Sequence, residues 1–412
     1  IISSQNNLFI NLEEGGAMIF EKNTAGSAIA VAADSANKFE ISGATGSLLE
    51  FSNNIFIGGA LDIRNTVSFE LDTIRFSSNE STSKGAAITN SGNMTLNAVR
   101  AEFINNTSQD KGGAIYNTGT LTINNAYFKG NTAKHDGAVY NDGKMVISNS
   151  IFESNVSLVE FGALAAAKDT TVINTSFYNN KSAGYWGALA GVRSGTLNII
   201  ADDGISEFKG NTNETEQNTA LLQSTGVANL NAGNSGKILF YDGIWNEATI
   251  NINKTGIKLA DGSTDAPTDG EIYIGNPMGI FNSSSSGLTG TNNLYNGTLT
   301  LGKEEYLSDG TQNLNLYGGT LNLINNEIGT VVVNDFSSSA DAKLNIDANL
   351  QSGQNGYGQS DNITVNGTFA PSSAIKLNAI NILADGDAQY LTIFNNAPDD
   401  FVINAGATYT NG

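Results

Sequence analysis

The sequence predicts an all-β chain wound as a parallel β-helix, and three observations lead there. Two short sequence marks alternate along the first half at a spacing of about 25 residues. Between them lie very short stretches of period-2 apolar spacing, Leu121-Thr122-Ile123 in one unit and Met145-Val146-Ile147 in the next. The composition is rich in Gly, at 46, and poor in Pro, at 4, with Asn, Thr and Ser filling the polar positions. That mix suits many short strands joined by tight turns. A unit of such length with no helix cannot bury its apolar face alone, so it must stack on its neighbours, each unit forming one rung.

The first mark is a phenylalanine followed three residues later by asparagine. It occurs at Phe20/Asn23, Phe51/Asn54, Phe76/Asn79, Phe103/Asn106, Phe128/Asn131, Phe152/Asn155, Phe177/Asn180 and Phe208/Asn211, in steps of 31, 25, 27, 25, 24, 25 and 31. The second is an alanine, usually followed by an aliphatic residue and often preceded by Gly, at Ala28, Ala60, Ala87, Ala114, Ala138, Ala163, Ala188 and Ala220. Each mark has a physical meaning in a stacked rung. Phe51, Phe76, Phe103, Phe128, Phe152 and Phe177 fall at one place in successive rungs, so their rings form an internal column. Asn54, Asn79, Asn106, Asn131, Asn155 and Asn180 fall at a turn, where each amide can bond the next rung's amide as a ladder. Gly-Ala marks a corner too tight for a larger side chain. These positions are architectural, and function must lie in what does not repeat.

After about Gly226 both marks stop but the β texture continues. Gly297-Thr298-Leu299-Thr300-Leu301 recurs 22 residues later as Gly319-Thr320-Leu321-Asn322-Leu323. Residues 1–225 are therefore expected to carry the repeat rungs and 226–412 to continue the helix with divergent ones. At about 25 residues per rung, the chain is expected to make about sixteen rungs, a rod of ~75 Å.

The formal charge of -20 argues against nucleic acid and other polyanions as partners, because phosphate affinity comes from cationic neutralisation. Without cysteine, disulfides and thiolate metal sites are excluded. The first residues show neither methionine nor a signal core, which reads as a processed or excised piece. His135, the one histidine, is expected in a solvated turn without catalytic work. The acid pairs Asp202-Asp203, Glu304-Glu305 and Asp399-Asp400 are adjacent residues, which in a strand point to opposite faces and cannot converge without a turn. Four acids between Asp261 and Glu271 lack the spacing of a dedicated calcium loop. No catalytic residue, metal site or cofactor is expected.

At the two marks the sequence resembles the polymorphic membrane protein family of bacterial autotransporters, whose passengers carry many copies of GGA[ILV] and FxxN. GGAL at 58–61 and GGAI at 112–115 match, GGAM at 15–18 matches with Met at the fourth place, and all eight FxxN copies match; six further GGA copies are degenerate. Ile238-Leu239-Phe240-Tyr241-Asp242-Gly243-Ile244 looks like a segment of the family's middle region, with Gly243 where proline is expected. The resemblance implies a right-handed parallel β-helix, a single elongated solenoid, displayed on the bacterial surface or secreted. It also implies an outer-membrane barrel C-terminal to the sequence given, the only contact with a membrane.

The functional expectation is a non-enzymatic adhesin passenger that binds a protein or glycan on host or neighbouring cells. A structural or self-associating surface fibre is the alternative, and a carbohydrate-active β-helix the third reading. Variable loops of a solenoid collect on an interaction face. The two long steps, Thr24–Leu49 and Tyr178–Glu207, mark candidates for it. The second contains Tyr185 and Trp186 just before a Gly-Ala corner, and both are proposed binding residues because such rings dominate hot spots.

Overall fold

The computed structural model describes all residues except 1, 5, 6, 32–37, 185–188, 191–194, 214–218, 234, 265, 276–279, 282–288, 303–309, 354–355, 371–372, 399–400 and 412. Among the described residues there are strands and turns and no α-helix. The strands build a β-solenoid of about 13 turns from parallel sheets. Two compact units are present: one comprises Ile1–Asn198, Ser206–Leu222 and Lys258–Ser263, the other Ile199–Ile205, Gln223–Ile257 and Thr264–Gly412.

In the first unit each turn contributes to three walls. The first wall stacks Ile29–Val31, Leu61–Ile63, Ile88–Asn90, Ile115–Asn117, Val139–Asn141, Leu164–Ala166 and Leu189–Ala190 in register. The second wall includes the long strands Thr66–Ser77, Asn93–Ile104 and Thr120–Lys129. The third is made of the short strands Ile55–Phe56, Glu80–Ser81, Thr107–Lys111, Thr132–His135, Val156–Ser157 and Lys181–Ser182.

The second and third walls meet at the FxxN turn. Phe51, Phe76, Phe103, Phe128, Phe152, Phe177 and Phe208 are fully buried. Neighbouring rings lie 4.4–5.0 Å apart, within 8° of parallel. Strand spacing of ~4.8 Å forces this near-parallel stack, which trades the preferred offset for continuous exclusion of water. The residue before each asparagine is left-handed in all eight copies: Lys22, Asn53, Ser78, Asn105, Gly130, Ser154, Asn179 and Gly210. That turn swings the asparagine inward. From Asn54 to Asn180 each Nδ2 donates to the next rung's Asn Oδ1 at 2.8–3.0 Å. The same Nδ2 donates to the carbonyl of the preceding rung's phenylalanine, also at 2.8–3.0 Å. The backbone N–H of each asparagine supplies the second donor to the next Oδ1. From Asn54 to Asn180 the side-chain amides are thus paired within the protein.

The third and first walls meet at the Gly-Ala corner. A Cβ on Gly113 would stand 2.2 Å from the carbonyl oxygen of Gly137, and one on Gly137 2.1 Å from that of Gly162. Stacked backbones leave no room there for a side chain. A second internal ladder runs at the end of the first wall. Asn90 Nδ2 donates to Asn117 Oδ1 (2.7 Å), Asn117 to Asn141 (2.6 Å), and Asn141 to Thr170 Oγ1 (2.8 Å). Its signal in the sequence is the asparagine that closes Ile115-Tyr116-Asn117 and Val139-Tyr140-Asn141.

In the second unit the pairing is again parallel, with a single short antiparallel pair among the described strands, Gln359–Ser360 on Ala348–Asn349. Thr298–Leu301 lies directly on Thr320–Asn322, so the 22-residue repeat of the sequence is one turn of the solenoid. Other turns are longer: Lys237 pairs with Glu271, Thr249 with Thr291, and Lys343 with Lys376. Those longer loops explain why the described residues make about 13 turns and not the sixteen expected from a uniform rung. A different amide ladder runs here, largely buried, with Asn229, Asn251, Asn293 and Asn315 joined Nδ2 to Oδ1 at 2.9–3.0 Å.

Candidate functional site

Tyr185 and Trp186 lie outside the described residues. The corner leading up to them, between the third and first walls of the first unit, is described from rung to rung. Backbone bonds from Gly85 to the Lys111 carbonyl, Gly112 to His135 and Gly137 to Phe161 carry this corner from one rung to the next. Beside them on the first wall, Thr89, Tyr116, Tyr140 and Ala165 lie in register and point outward. Period-2 alternation dictates that direction, because Ile115 and Asn117 on either side of Tyr116 are buried.

The Tyr116 and Tyr140 rings are stacked, with centroids 5.5 Å apart and planes within 8°. Lys84 Nζ sits 4.5 Å from the Tyr116 centroid and Lys111 Nζ 3.9 Å from that of Tyr140. Each ammonium gains about 0.5–1 kcal/mol from the ring face at a partly exposed site. Lys84 also donates to Tyr116 Oη at 3.3 Å and lies 4.0 Å from Asp110. Phe161, partly buried, packs on the small cluster of Tyr140, Ala165 and Ala167. Leu158 and Val159 of the same corner are exposed, at 58% and 40%. Tyr140, Ala165 and Ala167 are therefore buried on this wall, Tyr116 and Phe161 partly so, and Leu158 and Val159 are the exposed apolar side chains.

His135 is not in a solvated turn. It ends the strand Thr132–His135, its side chain is 23% exposed, and Nδ1 lies 3.8 Å from Glu160 Oε2. The sequence put it between Asn131 and Gly137 and gave no sign that the strand runs on to it. At 3.8 Å the pair is beyond hydrogen-bond reach, so Glu160 does not orient the ring as a general base would need. Asp202 and Asp203 are both exposed in a bend. Glu304, Glu305, Asp399 and Asp400 lie outside the described residues. No cluster of three or more His, Asp or Glu suited to a metal ion occurs among the described residues.

Residues 101–118 match the model of the Chlamydia polymorphic membrane protein repeat. No curated protein and no solved structure matches the chain. The matched stretch runs from Ala101 through Phe103 and Asn106 to the Gly112-Gly113-Ala114-Ile115 corner. It holds both marks of one rung, and the ring column and amide ladder repeat that rung from Phe51 to Phe208. Over this rung the chain is similar to the polymorphic membrane protein repeat, and the same two marks recur in the rungs stacked on it.

Proposed function

We propose that the chain is a non-enzymatic adhesin passenger, displayed on the bacterial surface by a C-terminal outer-membrane barrel, that attaches to host or neighbouring cells. One observation carries this reading. The corner that leads to Gly184 exposes Leu158 and Val159, and in the same sequence segment Phe161 packs on the cluster of Tyr140, Ala165 and Ala167. Exposed apolar surface rimmed by polar groups marks an interaction site more often than a solvated wall. Tyr185 and Trp186, outside the described residues, follow Gly184 in the sequence and are the binding residues proposed from it.

Binding of the purified chain to cultured cells tests the reading. Trp186→Ala should weaken attachment by about 2 kcal/mol with the melting temperature kept. Leu158→Glu should do so through charge placed in the patch. Attachment unchanged by both substitutions overturns the assignment of this face. Sedimentation of the same samples distinguishes the self-associating fibre, which would form assemblies and leave cells unbound.

A further inference from the structure

A different corner of the first unit carries a groove of about 700 Å³, within the range of small-ligand sites. It lies where the second wall bends. Here the rungs differ in length, unlike at the FxxN turn, where two residues always separate Phe from Asn. The register gives six residues between Ser42 and Leu49, three between Glu70 and Ile74, three between Asn97 and Ala101, and one between Asn124 and Ala126. Long loops over short ones leave a step, and the step is the groove. The first of the long rungs in the sequence contributes its lower wall through the turn at 44–47.

The chemistry of the lining is specific. Asn11, Ser42, Glu70 and Asn97 occupy one register position in four successive rungs, so polar groups recur every ~4.8 Å along the groove. None of the twelve lining residues is Lys or Arg. Glu70 is exposed and accepts a long hydrogen bond, 3.5 Å, from Asn97 Nδ2. Asp72, by contrast, is committed to the fold: it accepts from Gly46 N–H at 2.8 Å and Thr73 Oγ1 at 3.2 Å, pinning the turn. Val99, 74% exposed, supplies an apolar rim.

We propose that this groove binds a short neutral or amino-bearing saccharide. Amides and a carboxylate in a row offer both donors and acceptors to successive hydroxyl groups, and Val99 meets the C–H face of a ring. Phosphate, sulfate or uronate groups would face Glu70 and Asp72 without a cation to receive them. The groove binds and does not cleave, because hydrolysis needs two facing acids and Asp72 is held by the turn. The proposal deepens the adhesion reading, on which its biological use rests.

The test uses the intact chain with chitotriose, its N-acetylated form and a sulfated heparin trisaccharide, followed by calorimetry and by NMR shifts at the Asn97 and Val99 amides. Either uncharged or amino sugar should bind and move those amides, and the sulfated one should not. Glu70→Ala and Asn97→Ala, both at exposed positions, should each weaken binding about tenfold or more with the melting temperature unchanged. Absence of binding by both non-sulfated sugars, binding untouched by Glu70→Ala, or equal binding of the sulfated sugar overturns the proposal. A chain that attaches to cells but binds none of these sugars removes the groove and leaves the adhesion reading standing. A chain that binds sugar but no cells does the reverse.

Discussion

Replacing Asn131 by alanine should strike the fold at its most interdependent point. The side chain is fully buried and makes four hydrogen bonds. Its Nδ2 donates to Asn155 Oδ1 at 2.9 Å and to the Phe103 carbonyl at 2.8 Å, while its Oδ1 accepts from Nδ2 and from the backbone N–H of Asn106, both at 3.0 Å. After truncation Asn106 Nδ2 keeps the Phe76 carbonyl, and Asn155 Oδ1 keeps the backbone N–H of residue 131. The Asn106 N–H loses the acceptor it has here. A stranded buried donor costs about 1–3 kcal/mol and each weakened bond a fraction of one, so the net loss is about 2–4 kcal/mol. A solenoid can open locally, so the urea midpoint is best read beside amide hydrogen exchange. Exchange at the Asn106 amide should accelerate about 30-fold or more, with smaller effects in rungs further away. An unchanged midpoint together with unchanged protection at Asn106 would refute the reasoning and leave the ring column as the sole tie between rungs.

Phe128→Ala opens a hole between rings 4.5 Å below and 4.4 Å above, and should cost about 3–5 kcal/mol in equilibrium unfolding. Burial pushes the Glu271 carboxyl up, but hydrogen bonds from Lys237 and Thr300 outweigh it and hold its pKa below the ordinary glutamate value. A group depressed in the folded state contributes stability above its unfolded pKa and loses it as pH falls through the folded one. Stability should therefore decline below pH ~4.3, and Lys237→Met should flatten that part of the acid titration. His135→Ala should leave cell attachment unchanged and shift stability by no more than about 1 kcal/mol, measured by melting, because its contact with Glu160 is long and partly exposed.

How far the fold could be read depended on whether a residue's neighbour in space was also its counterpart in the sequence. Phe128 meets Phe103 and Phe152, and Asn131 meets Asn106 and Asn155, so one spacing announces both column and ladder. The left-handed residue before each asparagine was hidden, because Asn, Ser, Gly and Lys all fill it and no single letter repeats. In the second unit the counterparts are 22 to 42 residues apart, and even at 22 only Thr298 on Thr320 keeps a matching run of residues, while Val227 on Thr249 does not, so a single turn showed itself as a repeat.

The same dependence explains why surfaces were harder to read than the core. Step length between phenylalanines reports how many residues a rung gains but not at which corner. The long step from Phe20 to Phe51 is divided between residues 32–37, outside the described ones, and the turn at 44–47 that walls the groove. Glu70 and Asn97 belong to steps of ordinary length, 25 and 27, and nothing in their own rungs distinguishes them. They face a groove because the rung before them is long and the rung after them is short. In a solenoid a binding surface is thus a difference between adjacent rungs. A substitution that only lengthens a loop can make or erase one without touching any residue that lines it.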